Sequence, residues 1–339
     1  MKTEVPVYLA GARGLLAGEF LRLIASHPQL RLAAAYSRGG EGALSDCHPQ
    51  LTSVDRLRSM DQLAADLSSA LARGPAALVL ALNHGESAPA WRDLQSALGS
   101  AADRLTVVDL SADFRLPAAS DPAPWTYGLP ELHPIPAGAR RVAAAGCFAT
   151  ALQLAIVPAA RAGLLDATKP WIAHGVTGSS GSGAQAKPAT HHPHRHDNLW
   201  AYAWDGHRHE QELGARRNFQ AAPPLHFVAC SGPFSRGIHL SAALPLAQAA
   251  STEQARAAYE RAFADAACVR VLPSGPVQMR AVTGSNRADL SVGVRDGVLH
   301  AFCVLDNTIK GGSGQALQCL NLALGLPETS GLPLAGLGF

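Results

Sequence analysis

A chain of 339 residues, 47% of them hydrophobic, is long enough to bury two ordinary cores, and domain-length priors favour two domains over one. The formal net charge of +2 comes from interspersed Lys, Arg, Asp and Glu, which leaves no basic arm for nucleic acid or for an anionic membrane surface. The sequence shows no signal segment and no apolar run of about 18 residues, and its six cysteines are scattered without a C-x-x-C pair, so it reads as a cytoplasmic protein in a reducing compartment.

The N-terminal half alternates short apolar runs with helical patterns, as a parallel sheet with crossover helices requires. Val7-Tyr8-Leu9 reads as the first strand, started after Pro6 because proline cannot donate to a ladder. Gly11-Ala12-Arg13-Gly14 reads as a tight turn, and Leu15 to Ala25 as a helix with Leu16, Phe20, Leu23 and Ile24 on one face. Further strands are expected at Leu32 to Tyr36, Ala77 to Leu82, Thr106 to Leu110 and Val142 to Ala145. In an open parallel sheet the carboxyl ends of the strands line the ligand crevice, which here brings forward Gly11, Ser37-Arg38, Asn83-His84, Ser111 and Cys147.

The second half predicts helices on a largely antiparallel sheet. Strands are expected at Trp171–Val176, His226–Cys230, Gly237–Leu244, Ala288–Val294 and Val298–Leu305, the last two joined by the hairpin signal Asp296-Gly297. Ser251 with Gln254 forms a capping box ahead of a helix bearing Ala255, Ala258, Tyr259, Ala262 and Phe263. A last helix, Ser313 to Leu324, follows a Gly-rich entry at Lys310-Gly311-Gly312. The run Gly178-Ser179-Ser180-Gly181-Ser182-Gly183 reads either as a flexible linker or as an anion-cradling loop.

Several clusters carry chemistry. Cys147 stands where a strand turns through Gly146 into a helix, and a helix N-terminus favours thiolate over thiol; the competing reading is a buried structural cysteine. Gly11, Ala12, Arg13 and Gly14 offer backbone N–H groups to a pyrophosphate. Ser37-Arg38 occupies the place where an acidic residue would serve the ribose hydroxyl of NAD, and so favours the 2′-phosphate of NADP(H). His207, Arg208, His209 and Glu212 supply a base, a cation and an orienting carboxylate. Six of the 14 histidines fall between His191 and His209. A zinc reading of His191 to His196 is opposed by Pro193, which is expected to break the i,i+4 geometry, so no metal is assigned. Lys187, Arg195, Arg208 and Arg236 fit an anionic substrate such as an acyl phosphate, with solvent-exposed histidines as the bland alternative.

Taken together, the chain resembles the N-acetyl-gamma-glutamyl-phosphate reductases (type 1), relatives of the aspartate-semialdehyde dehydrogenases. The matching runs are Gly11-Ala12-Arg13-Gly14, Val108 through Asp113-Phe114-Arg115, Tyr127 through Glu131, Ala145-Gly146-Cys147, Gly206-His207-Arg208-His209 with Glu212, Arg236-Gly237, and Asp306-Asn307 through Lys310-Gly311 to Gly314-Gln315-Ala316. They occur in the family's order along nearly the whole chain. The resemblance implies a glyceraldehyde-3-phosphate-dehydrogenase-like fold of class α/β plus α+β: an NADP-binding Rossmann domain of residues 1–146 plus 308–339, and a catalytic and oligomerisation domain of residues 147–307. It implies NADPH-dependent reduction of N-acetyl-L-glutamyl 5-phosphate through a thioester on Cys147, in arginine biosynthesis, by a homodimer or homotetramer. His207 would be the acid/base partner, Arg115, Arg208, His209, Glu212 and Arg236 would serve the substrate, and Asn307 would face the nicotinamide. The family usually carries Ser and Tyr where this chain has Arg13 and Leu15, and Tyr-Pro where it has Phe148-Ala149, so side-chain roles at those positions do not carry over. The tract His191-His192-Pro193 with Arg195 and Tyr202 is similar to a sister branch that reduces a carrier-protein-linked aminoadipyl phosphate in lysine biosynthesis. Readings of other classes are a His-rich metal hydrolase and a nucleotide-binding module without catalysis.

Overall fold

The computed structural model describes residues 4–51, 56–116, 125–215 and 224–338. The chain divides into two compact units, Met1–Ala145 with Gly312–Leu332, and Gly146–Gly311 with Pro333–Phe339. No helix among the described residues is long and apolar enough to cross a membrane.

The first unit is built on a sheet of β1 (Val5–Ala10), β2 (Leu30–Ser37), β3 (Gly42–Ala43), β4 (Arg56–Ser59), β5 (Ala77–Leu80), β6 (Thr106–Asp109), β7 (Thr126–Gly128) and β8 (Arg141–Ala144). Their order is β3-β4-β2-β1-β5-β6-β8-β7, and every pair except β3 with β4 runs parallel. Helices α1 (Leu15–Ile24), α2 (Leu44–Cys47), α3 (Leu63–Arg73) and α4 (Ser87–Leu98) lie in the connections. The strand order turns back at β1, which lies between β2 and β5, and such a switch point is where a doubly wound sheet opens its ligand crevice. Gly11 makes the turn there with φ +87°, and a Cβ on it would come within 2.4 Å of the Ala81 carbonyl oxygen, so only glycine fits.

Pro6 lies inside β1, contrary to the expected start at Val7. It pairs with Arg31 of β2, but β5 begins its pairing only at Val7, so no β5 ladder stands opposite the missing N–H. The core of this unit includes Tyr8, Tyr36, Leu78, Val107 and Trp91, with Phe114 stacked on Trp125 at 4.0 Å between ring centroids. The C-terminal helix Gly314–Ala323 belongs to the same unit and packs on β6, β8 and α1. Ser313 Oγ donates to the Leu16 carbonyl at 2.6 Å, and His27 Nε2 lies 3.0 Å from Asn321 Oδ1.

The second unit carries β9 (Trp171–Thr177), β10 (Trp200–Tyr202), β11 (Leu225–Ser231), β12 (Ile238–Pro245), β13 (Val269–Val271), β14 (Ala288–Arg295) and β15 (Val298–Leu305), in the order β10-β11-β9-β12-β15-β14-β13. The sheet is mixed: β9 with β11 and β13 with β14 are parallel, and the other neighbours antiparallel. Asp296 and Gly297, at φ +51° and +73°, turn β14 into β15 as a two-residue hairpin. The helices are α5 (Cys147–Arg161), α6 (His192–Arg195), α7 (Arg208–Ala215) and α8 (Thr252–Ala262), the last opened by the reciprocal Ser251 and Gln254 capping box. Helices α5 and α8 pack on β12, β14 and β15, and burial alternates along β9 and β12 as it must when a sheet is covered on one face. On the other face Ile172 is 54% exposed and Val228 37%.

Gly175, in the middle of β9, is set by packing: a Cβ there would meet the Phe148 ring at 2.4 Å. Gly175→Ala is therefore expected to destabilise the protein by about 1–3 kcal/mol, the usual cost of overpacking. Denaturant midpoints should show part of this loss recovered when Phe148→Leu is added. Full independence of the two changes would refute the contact.

Candidate active site

A cavity of about 310 Å³ opens in the second unit, lined by Cys147, Phe148, Thr177, Gly181, Tyr202, Ala203, His207, Arg208 and His209. It unites a thiol from one stretch of chain with two imidazoles and a guanidinium from another.

The thiol comes from the start of α5. Gly146 is the N-cap, in extended conformation, and brings no capping side chain to the backbone N–H groups of the first turn. Those backbone N–H groups and the helix dipole therefore meet whatever negative charge develops beside Cys147. Space for the nucleophile is kept by Gly311, whose Cβ would stand 2.7 Å from that of Cys147.

The imidazoles come from the start of α7. His207 and His209 are both buried, with ring centroids 4.7 Å apart. Phe148, Phe227 and Tyr202 enclose His207 edge-on at 5.6, 5.5 and 5.7 Å. Burial in this aromatic box, together with the Arg208 charge, pushes His207 down to about 4 against a smaller opposing pull from Glu212. Burial likewise raises the Tyr202 hydroxyl, and the neighbouring Cys147 raises it further. Glu212 is 3% exposed; its Oε2 accepts the Gly146 N–H at 3.1 Å, while its Oε1 lies 3.9 Å from His209 Nε2. One carboxylate thus binds α7 to the residue before the nucleophile. Arg208 is exposed and lines the cavity.

The Gly178 to Gly183 run is one wall of this cavity rather than a linker. Gly178, Ser179 and Ser180 donate from their backbone nitrogens to the carbonyls of Gly237, Phe234 and Ser235, and a Cβ on Gly178 would lie 2.5 Å from the Ser235 oxygen. Asn307 ties the same wall together: its Oδ1 accepts from Gly237 N at 2.7 Å and its Nδ2 donates to Ser180 Oγ at 3.0 Å. Arg236 pairs with buried Asp306, Nε to Oδ2 at 3.1 Å, and is not among the residues lining the cavity. Ala203 lines it with φ +47°, a strained conformation for a residue with a Cβ.

The remaining sequence candidates belong to the first unit. Arg115 is buried and donates to the carbonyls of Leu110 and Ala144 at 2.8 Å each, fastening the ends of β6 and β8. The N–H groups of Gly11 and Ala12 both donate to the Tyr36 carbonyl, so the turn's donors toward a ligand come from Arg13 onward, where α1 starts without a side-chain cap. Arg13 Nε donates to Ser37 Oγ at 2.9 Å, and its Nη2 reaches the carbonyls of Gly39 and Gly40 at 3.4 Å. Arg38 instead pairs with Glu86 on the surface.

The histidine tract forms α6, with Pro193 in its first turn, where proline is tolerated. Pro193 therefore does not break the i,i+4 geometry as expected: the His192 and His196 rings come within 5.2 Å. The tract's histidines are exposed, and none joins a group of three ligating side chains among the described residues. Arg195 turns inward, donating to Ser231 Oγ at 2.7 Å beneath the Trp200 ring. Sequence reasoning did not single out Thr177 or the aromatic box around His207: Phe227 carries no local signal beyond strand propensity, and Tyr202 entered only through the resemblance to the sister branch.

Comparison with known proteins shows the family and the fold. The family described as semialdehyde dehydrogenase, NAD binding domain, matches residues 6–137, and that described as semialdehyde dehydrogenase, dimerisation domain, matches residues 147–307. The chain is 38% identical to an N-acetyl-gamma-glutamyl-phosphate reductase of Saccharopolyspora erythraea over 98% of both chains. It is 35% identical to a LysW-L-2-aminoadipate 6-phosphate reductase of Deinococcus radiodurans over 99% of both. The fold is also that of aspartate semialdehyde dehydrogenase II from Vibrio cholerae, at TM-score 0.69 and 15% identity, covering 94% of this chain and 98% of that one.

The lowered His207 has a consequence for stability. An unfolded imidazole titrates near 6.5 and the folded one at about 4, so between those values the unfolded chain holds the extra proton and stability falls as the pH drops through that window. His207→Gln should lose less unfolding free energy between pH 7 and pH 5 than the parent protein. Equal losses in denaturant titrations at the two pH values would refute the shift.

Proposed function

Since the chain belongs to the N-acetyl-gamma-glutamyl-phosphate reductase family of semialdehyde dehydrogenases, we propose that it reduces N-acetyl-L-glutamyl 5-phosphate to N-acetyl-L-glutamate 5-semialdehyde and phosphate, with NADPH, in arginine biosynthesis. The observation that carries this reading is Cys147 at the start of α5, sharing one cavity with His207 and Arg208.

The residues divide the work as follows. Arg208, exposed at the rim, holds the phosphate. Cys147 Sγ attacks the acyl carbon, and the charge passing to the carbonyl oxygen is met by the backbone donors of α5. The carbon–oxygen bond to phosphate then breaks, leaving a thioester on Cys147. His207 hydrogen-bonds the reacting oxygen, and His209 and Glu212 keep it and the nucleophile's helix together. When bound, NADPH supplies the hydride that takes the thioester to the aldehyde level. Aldehyde departs as the thiolate re-forms.

The first unit fits such a cofactor, because the Gly11 turn sits tight on the Ala81 backbone and leads into α1, whose N-cap Gly14 brings no capping side chain. Its preference for NADPH rests on Arg13 with Ser37 more than on Arg38, whose guanidinium is already paired with Glu86. Arg13→Ala should therefore raise the KM for NADPH about tenfold or more, the worth of one charge-assisted phosphate contact, and leave the KM for NADH nearly unchanged. Arg38→Ala should do less. Steady-state kinetics with both cofactors checks this, and equal effects on NADPH and NADH would sink it.

A second substrate reading, the carrier-linked aminoadipyl phosphate, is favoured by the 35% identity to the Deinococcus radiodurans reductase. Turnover measured in reverse, with NADP, phosphate and either acetylated glutamate semialdehyde or carrier-linked aminoadipate semialdehyde, separates the two. Cys147→Ser is expected to abolish phosphate-dependent NADP reduction while NADPH still binds; unchanged turnover would overturn the covalent route. A cytoplasmic homodimer or homotetramer is part of the same proposal, with the face of the second sheet bearing Ile172 and Val228 as the contact between copies, in the segment matching the dimerisation family.

A further inference from the structure

The imidazole at the centre of the cavity also caps the helix that carries it. Helix α7 begins at Arg208, so His207 stands at the N-cap, where Ser, Thr, Asp or Asn ordinarily accepts a hydrogen bond from the first turn. Here the His209 N–H donates to His207 Nδ1 at 3.2 Å. Glu210, the third residue of the helix, reaches back so that its Oε1 accepts the His207 N–H at 2.7 Å, and its own N–H donates to the His207 carbonyl at 2.9 Å. The arrangement is a capping box with an imidazole in place of the hydroxyl. A ring nitrogen that accepts from an amide carries no proton, and in a neutral ring the proton then resides on the other nitrogen.

We infer that Glu210 is a positioning residue which, with the His209 amide, locks His207 in the Nε2–H tautomer, so that the ring acts as a neutral hydrogen-bond donor and not as the base that takes the Cys147 proton. This rests on the reductase reading of the cavity. Cys147 enters the reaction as thiolate, its proton already lost to solvent under the influence of the α5 N-terminus. As the S–C bond forms, the carbonyl electron pair moves onto oxygen, and Nε2–H donates to that oxygen without transferring its proton. When the pair returns, the bond to phosphate breaks and phosphate leaves with its electrons. A second proton on Nδ1 would set N–H against the His209 N–H, and the aromatic enclosure opposes the cation as well. Capping and burial thus favour the same neutral ring.

The test is made on the resting full-length enzyme, labelled with 15N-histidine, in long-range proton–nitrogen correlation spectra; a His207→Gln spectrum identifies the His207 signals. At pH 7 the expected result is an unprotonated Nδ1 and a protonated Nε2. Glu210→Ala should give mixed tautomers and lower kcat about tenfold or more, since a wrongly placed ring proton is costly in other imidazole sites, with the KM for NADPH unchanged. Glu210→Gln keeps an acceptor oxygen and should restore both spectrum and kcat. An Nδ1–H tautomer or an imidazolium at pH 7 in the parent enzyme overturns the inference, as does Glu210→Ala with tautomer and kcat unaltered. If the Nε2–H form is found in a protein that turns over neither acyl phosphate, the reductase reading falls and the capping assignment stands.

Discussion

The second unit depends on a single buried carboxylate. Glu212 accepts the Gly146 N–H across 66 residues of sequence and faces His209 from the same helix, so the segment presenting the imidazoles and the segment presenting the thiol have one fixed relation. A charged acceptor buried on a backbone donor contributes more than an ordinary hydrogen bond, about 1.5–3 kcal/mol, and leaving either partner alone would cost its full desolvation. Helix α7 is short and carries a polar, charged sequence, so it has little apolar face of its own to anchor it. Its place is set by Glu212 and by the rings packed on His207. Cavity and nucleophile inherit their alignment from that contact.

Around this contact the protein arranges charge sparingly. The donors beside Cys147 are backbone groups, which cannot titrate, and the adjacent imidazole is kept neutral by its surroundings. Among the residues lining the cavity the cation is Arg208, which is exposed to solvent. Arg115 and Arg236, by contrast, are committed to carbonyls and to Asp306, and the fold uses them to hold strand ends and loops.

Much of this was legible in the residues. The apolar runs of β1, β2, β5, β6 and β8 and the Asp296-Gly297 turn announce themselves because a buried parallel strand is continuous in its apolar character and a two-residue hairpin needs φ above zero. The strands Arg56–Ser59, Thr126–Gly128, Trp200–Tyr202 and Val269–Val271 do not, being three or four residues long at or near sheet edges, too short for any period to show. Cys147 and His207 could be paired because strand ends and helix starts are readable. That Arg115 is engaged by carbonyls could not be read, since a backbone acceptor such as that of Ala144, 29 residues on, leaves no mark in the residue types. Pro193 misled for a related reason: its effect depends on where in the helix it falls, and α6 is too short to predict. The cap formed by His207, His209 and Glu210 was written in the sequence as His207-x-x-Glu210, but it resembles a capping box only once imidazole is admitted as an acceptor.

The first unit is closed by a helix from the far end of the chain. Gly314–Ala323 lies buried against β6 and β8, and its contacts from Ser313 to Leu16 and from Asn321 to His27 span nearly 300 residues. During synthesis, therefore, the segment through Ala145 emerges with the apolar surface meant for that helix still uncovered, and it must wait for residues 146–311 to be made. Contacts of such sequence separation are slow to form, because loop closure comes before the energy it secures. The order of translation thus places residues 146–311 between the first unit's sheet and the helix that covers it, and the second unit in turn takes in residues from 333 onward, so neither unit is complete until the chain beyond Gly311 has been made.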